Sequence, residues 1–190
     1  VDVSLVGNIG YSFARQIATN PTAWYVMEIS SFQLDDIKSF QPDIAVITNI
    51  TPDHLDRYNY DFSQYVQSKF KIAKNQTEED YLVLCKDDEA TIQFLNKNKL
   101  TPKILFFTMN ESLNTNGAYI NNNEIMIRVN DEPFSISLNE LSLKGKHNQY
   151  NSMAAGISAR VAEIRNDSIR ESLKTFNALE HRMETVAFIR

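Results

Sequence analysis

Asp43-Ile44-Ala45-Val46-Ile47-Thr48-Asn49-Ile50-Thr51-Pro52-Asp53-His54-Leu55-Asp56-Arg57-Tyr58 is the stretch that decides the fold. Its first half, with the apolar run Ile44 to Ile47 at its centre, reads as a buried strand over Asp43 to Ile50. Its second half gathers Thr51, Pro52, Asp53, His54 and Asp56 within a few residues. In open α/β sheets, ligands bind in the crevice beyond the carboxyl ends of the strands. An imidazole and two carboxylates at such a strand end could hold a metal ion or a substrate anion.

The pattern repeats on either side. Val3 to Val6 reads as a short strand, followed by Gly7-Asn8-Ile9-Gly10 and a helix over about Tyr11 to Thr19. Trp24 to Ile29 is the next β-prone run, and Phe32 to Phe40 supports a short helix. Asp61 or Ser63 can cap a helix running to about Lys74. Tyr81 to Cys85 and Ile104 to Phe107 read as strands flanking a helix over Asp88 to Asn98. This alternation predicts βαβ units and a parallel sheet. From Gly117 to Leu138 the texture changes to short β segments broken at Asn121-Asn122-Asn123 and Asn130-Asp131. That predicts a small antiparallel addition. Helices over Asn148 to Ala162 and Ile169 to Asn177 follow, the first carrying Ala154, Ala155 and Gly156 for close packing. The expected fold class is α/β, a three-layer and mostly parallel sheet.

Composition limits the function. The chain has 190 residues, 43% hydrophobic and 11% aromatic, enough for one sizeable core. A net charge of −5 gives no reason to expect nucleic acid or an anionic membrane as partner. No apolar run is long enough to span a bilayer and no signal-peptide pattern is present, so a cytoplasmic setting is expected. The single cysteine, Cys85, has no partner for a disulfide or a zinc site and lies in an apolar run, as an inert buried thiol would.

Several residues could carry chemistry. Glu28 ends the run Trp24-Tyr25-Val26-Met27, where a carboxylate suits Mg²⁺, although a strand-end glutamate can equally face water. His54 could be oriented by Asp53 or Asp56 through its second ring nitrogen, while Asp53 could instead cap the turn after Pro52. Gly7-Asn8-Ile9-Gly10 lets backbone approach a ligand but lacks the lysine and hydroxyl of a phosphate loop. Lys69 sits in a helix whose other face carries Phe62, Tyr65, Val66 and Ile72, as a surface lysine would. Asn148 and Asn151 share a helix face and could read a purine edge, or cap and solvate the helix. Arg182 could grip a phosphate or serve an ordinary ion pair. Neither a Ser/His/Asp order nor a Cys/His zinc spacing stands out.

In order, the segments VGNIG, MEISSFQL, NITPDHLDRY, LKGKHNQYN and LEHRME resemble the Mur ligase family of ATP-dependent amide-bond-forming enzymes. The likeness covers nearly the whole chain but only the central, ATP-binding domain of a three-domain enzyme. Ser30-Ser31-Phe32-Gln33-Leu34 is similar to the branch that adds D-glutamate. The resemblance implies a P-loop-like fold in an enzyme that uses ATP to activate the carboxylate of UDP-N-acetylmuramoyl-L-alanine. D-Glutamate then attacks the acyl phosphate, in peptidoglycan synthesis. It further implies Glu28 as a Mg²⁺ ligand and His54 as the ligand of a second Mg²⁺. Lys69 would be a carbamylated lysine beside the metal and Asn8 a contact to the muramoyl substrate. Asn148 and Asn151 would contact adenine and Arg182 the nucleotide.

The family's phosphate loop should lie just before Val3, so residues 1–180 are expected to be a central domain lacking its N-terminal strand and phosphate loop, with 181–190 a linker onward. On that expectation the chain alone is inactive, an exposed edge or cleft remains, and the full-length enzyme is a monomer. Two alternatives stand: another Mur or folylpolyglutamate synthetase-like ligase, and a non-catalytic nucleotide-binding module.

Overall fold

The computed structural model describes residues 2–8 and 10–176. They form two compact units, one from the residues up to 41 together with 52–75, the other from 42–51 together with those from 76 onward. The first unit is built on a two-stranded parallel sheet of β1 (Val3–Gly7) and β2 (Trp24–Glu28), with Val3 opposite Trp24 and Gly7 opposite Glu28. The connecting helix α1 (Phe13–Thr19) starts at Ser12, whose side chain accepts the Arg15 N–H. Gln16 Nε2 donates to Ser4 Oγ at 3.0 Å, and the Phe13 ring meets Tyr25 edge-on at 5.0 Å. These contacts cover the sheet face that carries Ser4 and Tyr25. The other face stays open, with Leu5 54% and Val26 60% exposed beside Val3 and Trp24. Parallel sheets are normally covered on both faces.

Helix α2 (Ser31–Asp35) begins with a reciprocal capping box between Ser30 and Gln33. It is shorter than the helix expected over Phe32 to Phe40. The carbonyls of Lys38 and Phe40 accept hydrogen bonds from Asn75 Nδ2, at 3.0 and 2.9 Å, and that pairing takes the place of another helical turn. Helix α3 (Phe62–Phe70) is capped by Asp61, whose carboxylate accepts the Ser63 N–H at 2.8 Å. The expected helix to Lys74 ends instead in a 3-10 turn over Lys71–Ala73.

The second unit holds a six-stranded sheet in sequential order: β3 (Ile44–Ile47), β4 (Tyr81–Cys85), β5 (Lys103–Thr108), β6 (Gly117–Asn121), β7 (Glu124–Val129) and β8 (Glu132–Ser137). Strands β3 to β6 run parallel and β6 to β8 antiparallel, as the change in sequence texture predicts. Asn122, Asn123, Asn130 and Asp131 take positive φ in the two tight turns, which asparagine and aspartate tolerate well. Asp88 caps α4 (Glu89–Lys97) and also accepts the Ile50 N–H at 3.2 Å, tying the chain beyond β3 to that helix.

The core of this unit lies between the sheet and α5 (Lys146–Val161), where Phe107, Ile125, Met153 and Ile157 are fully buried. Gly156 lets α5 approach β7 so closely that an added Cβ would collide with Ile127 Cδ1. Cys85 is buried in the same core, 4% exposed. Helix α6 (Asn166–Thr175) follows α5.

The α/β class with a mostly parallel sheet and an antiparallel addition is therefore observed. A single sheet is not. Among the described residues, β1 and β2 pair only with each other. No helix among these residues is long and apolar enough to cross a membrane.

Candidate functional site

Glu28 and Asn8 come together at the carboxyl ends of β2 and β1. Asn8 Nδ2 donates to Glu28 Oε1 at 3.1 Å, and the Asn8 N–H donates to the Glu28 carbonyl at 2.8 Å. Both side chains are exposed. The pair thus presents a carboxylate and an amide to solvent from a βα turn, the place where parallel sheets receive ligands.

His54 lies in the same unit. It precedes a 3-10 turn over Leu55–Tyr58 and takes a left-handed backbone at φ 49° and ψ 32°. Asp53 Oδ1 accepts the His54 N–H at 2.8 Å, and Asp53 Oδ2 is 3.5 Å from Nε2. Of the two orienting carboxylates considered from sequence, Asp53 is the one beside the ring. The His54 ring meets Phe32 edge-on at 5.3 Å, Arg57 lies over the same Phe32 ring at 4.1 Å, and Tyr58 stacks with it at 6.2 Å. Phe32, from the SSFQL segment, is therefore the post around which the HLDRY loop winds.

Asp35 fastens that loop from below. Its carboxylate accepts the Tyr58 hydroxyl at 3.1 Å, the Ser68 hydroxyl at 2.7 Å and Lys71 Nζ at 2.8 Å. Burial alone would raise the Asp35 pKa, but the Lys71 ammonium and the Ser68 and Tyr58 hydroxyls outweigh it, holding the carboxyl below its ordinary range. A carboxyl with a depressed folded-state pKa stabilises the fold above its unfolded pKa, and that contribution is lost as pH falls through the folded value. The destabilisation caused by Asp35→Asn should accordingly be clear in urea titrations at pH 7 and shrink as pH drops below about 4. An equal penalty at pH 7 and pH 3 would show that the charge is immaterial.

Lys69 differs from its sequence reading. It is half-buried, with Nζ 4.9 Å above the Tyr65 ring, one turn back on the same helix face. It does not lie on a face opposite Tyr65. Glu28, His54 and Lys69 are thus in one unit, each with a protein neighbour of its own.

Among the described residues, no group of three or more His, Cys, Asp or Glu side chains is arranged to hold a metal ion. Mg²⁺ does not require one, because it is commonly held by one or two carboxylates together with substrate phosphates and water. An exposed Glu28 carboxylate fits that donor set. Lys69 fits only after its amine has been converted to an oxygen-bearing group.

The expected adenine contacts lie in the second unit, on the first two turns of α5. This helix begins at Lys146, earlier than expected, because Gly145 at φ 95° serves as its N-cap. Asn148 Nδ2 donates to Lys144 O at 2.8 Å, leaving its carbonyl oxygen and second amide hydrogen, and Asn151 is exposed. Arg182 and the expected linker 181–190 lie outside the described residues. Sequence reasoning missed Asp87, which accepts the Tyr150 hydroxyl at 2.8 Å beside these asparagines. The test applied to Glu28, an acidic residue ending an apolar strand, would have found it, since Asp87 follows β4.

The sequence model for the Mur ligase middle domain matches residues 8–159. The chain belongs to the Mur ligase family. Among its curated relatives, UDP-N-acetylmuramoylalanine–D-glutamate ligase of Christiangramia forsetii is 46% identical over 98% of this chain and 42% of its own length. The enzyme of the same name from Bacteroides fragilis is 43% identical over 100% of this chain and 42% of its own length. The chain thus spans well under half the length of these relatives. Among solved structures, a MurF ligase from Thermotoga maritima in complex with ADP superposes with a TM-score of 0.66 at 18% identity, over 94% of this chain and 43% of that one. An FPGS–AMPPCP complex gives a TM-score of 0.59 at 12% identity, over 90% of this chain and 43% of that one. At these identities the structural likeness speaks for the fold.

Proposed function

We propose that this chain is the ATP-binding middle part of a ligase that joins D-glutamate to UDP-N-acetylmuramoyl-L-alanine in the cytoplasm. Residues 1–180 are the middle domain and 181–190 lead toward a further domain, in an enzyme that acts as a monomer. The observation that carries this reading is identity of 39–46% to ligases of that name across essentially the whole chain. The SSFQL segment, similar to the D-glutamate branch, and the shared name of these relatives support that branch over other amide ligases of this fold.

In the proposed reaction the substrate carboxylate attacks the γ-phosphorus of ATP, giving an acyl phosphate and ADP. The D-glutamate amine then attacks the acyl carbon, loses a proton, and expels inorganic phosphate from a tetrahedral intermediate. Both steps concentrate negative charge on phosphate oxygens, so alignment and charge neutralisation are the protein's main tasks. Mg²⁺, with two sites expected, supplies that neutralisation when bound. Glu28 and His54 are the residues of this chain that would hold it, with Lys69 joining them as a carbamate. Asn8 holds Glu28 in place and faces the muramoyl substrate. Asn148 and Asn151 take the adenine, and Arg182 the nucleotide phosphates.

The test uses the full-length protein with ATP, UDP-N-acetylmuramoyl-L-alanine and one of three acceptors: D-glutamate, L-lysine or meso-diaminopimelate. Product is expected with D-glutamate alone. His54→Ala should lower kcat about 100-fold, the scale of losing one preorganised charge-stabilising group, while the thermal midpoint moves by only a few degrees. Product with another acceptor would reject the D-glutamate assignment. Loss of folding in step with activity would make His54 structural.

A further inference from the structure

The first two turns of α5 carry Asn148 and Asn151, yet the helix start is weakly secured. Gly145 is its N-cap and no side chain caps it, so the first backbone N–H groups lack the usual fastening. Two tethers stand in for a cap. One is local, from Asn148 Nδ2 to Lys144 O. The other crosses 63 residues of sequence, from the Tyr150 hydroxyl to Asp87 Oδ2 at 2.8 Å.

The second tether is firmly anchored. Asp87 Oδ1 accepts the Thr108 hydroxyl at 2.6 Å, and Oδ2 also accepts the Met109 N–H at 2.7 Å. Thr108 is fully buried. The Tyr150 ring lies 6.1 Å from the Phe107 ring. Burial, and then the bond to Asp87, push the Tyr150 phenol above its ordinary pKa, so it remains a proton donor throughout the neutral range.

We propose that Tyr150, clamped by Asp87, is a positioning residue that sets the rotation of the first two turns of α5 and thereby aims Asn148 and Asn151 at the nucleotide base. This rests on the assignment of those asparagines to adenine. At about 100° per residue, Asn151 stands about 100° and Asn148 about 160° around the helix from Tyr150, on the same side. Pinning the tyrosine to the strand ends fixes both amides on one flank. A turn of about 20° about the helix axis would sweep an amide tip by about 2 Å, more than a hydrogen bond tolerates. Adenine and guanine present different donor and acceptor patterns, so a loosened aim costs discrimination as well as affinity.

The experiment compares ADP and GDP binding by calorimetry in the full-length protein and in its Tyr150→Phe and Asn151→Ala variants. Amide exchange is measured along α5 in parallel. Tyr150→Phe keeps the ring and removes only the hydroxyl. It should weaken ADP binding about fivefold, the scale of one net hydrogen bond, and narrow the preference for ADP over GDP. Exchange should quicken at Gln149 to Asn151, the first amides of α5 with backbone partners, and stay unchanged at Met153 and Ile157. Unchanged binding and preference in Tyr150→Phe would overturn the proposal, as would exchange that quickens equally along the whole helix. If Asn151→Ala collapses the preference while Tyr150→Phe leaves it intact, the adenine assignment stands and the positioning role falls. If Asn151→Ala leaves the preference untouched, the adenine assignment fails, and the positioning role fails with it.

Discussion

Gly7→Ala is expected to cost the β1–β2 sheet about 3 kcal/mol or more, a large share of the roughly 5–15 kcal/mol that holds a typical domain together. Two penalties combine. Gly7 sits at φ 101°, a conformation that side-chain-bearing residues rarely adopt. A Cβ there would also fall against the Glu28 carbonyl and the Met27 side chain. The carbonyl is backbone and cannot swing aside, and it already accepts the Asn8 N–H at 2.8 Å. Among the described residues the sheet has no third strand to absorb the distortion. The chain's one tryptophan, Trp24, begins β2, so its fluorescence reports on this sheet directly. The urea midpoint seen at Trp24 should fall markedly in Gly7→Ala; an unmoved transition would show that the turn can be rebuilt around a methyl group.

Phe107→Ala should cost the second unit about 3–5 kcal/mol, the usual penalty for emptying a buried aromatic site. Phe107 is fully buried on β5, an interior strand. Its ring also packs beside Tyr150, so the cavity would open next to the tether that holds α5. Phe107→Leu keeps much of the volume and should cost about 1–1.5 kcal/mol. Denaturant titrations followed by circular dichroism would measure both. A Phe107→Ala penalty under about 1 kcal/mol would mean that the surrounding side chains collapse into the space.

Much of this architecture is legible in the residues because local and tertiary preferences agree. Tyr81–Cys85 and Glu124–Val129 fall where their apolar patterns place them, and the asparagine turns separate β6, β7 and β8 as expected. Disagreement arises where long-range hydrogen bonds override local spacing. The residues after Asp35 have helical spacing, yet the Lys38 and Phe40 carbonyls bond to Asn75 instead. The candidate site divides in the same way. Glu28 stands out as the acidic residue that ends an apolar strand and His54 as an imidazole in the segment that follows another, seven residues past Ile47, and the pairing of Asn8 with Glu28 follows from the register of two parallel strands. The tether from Tyr150 to Asp87 spans 63 residues and leaves no periodic trace. Nor does the spacing of α3 reveal that the Lys69 chain folds back over Tyr65.

Cys85 gives this core a chemical clock. It is the chain's one thiol, 4% exposed, and its pKa is pushed up to about 11, chiefly by burial. At pH 8 only about one molecule in a thousand would carry the thiolate that reacts with maleimides or disulfide reagents. Sulfur alkylation must therefore wait for β4 to open, and its rate times that opening without any engineered probe. By the same token, a reporter cysteine introduced on the surface would be labelled against an almost silent background.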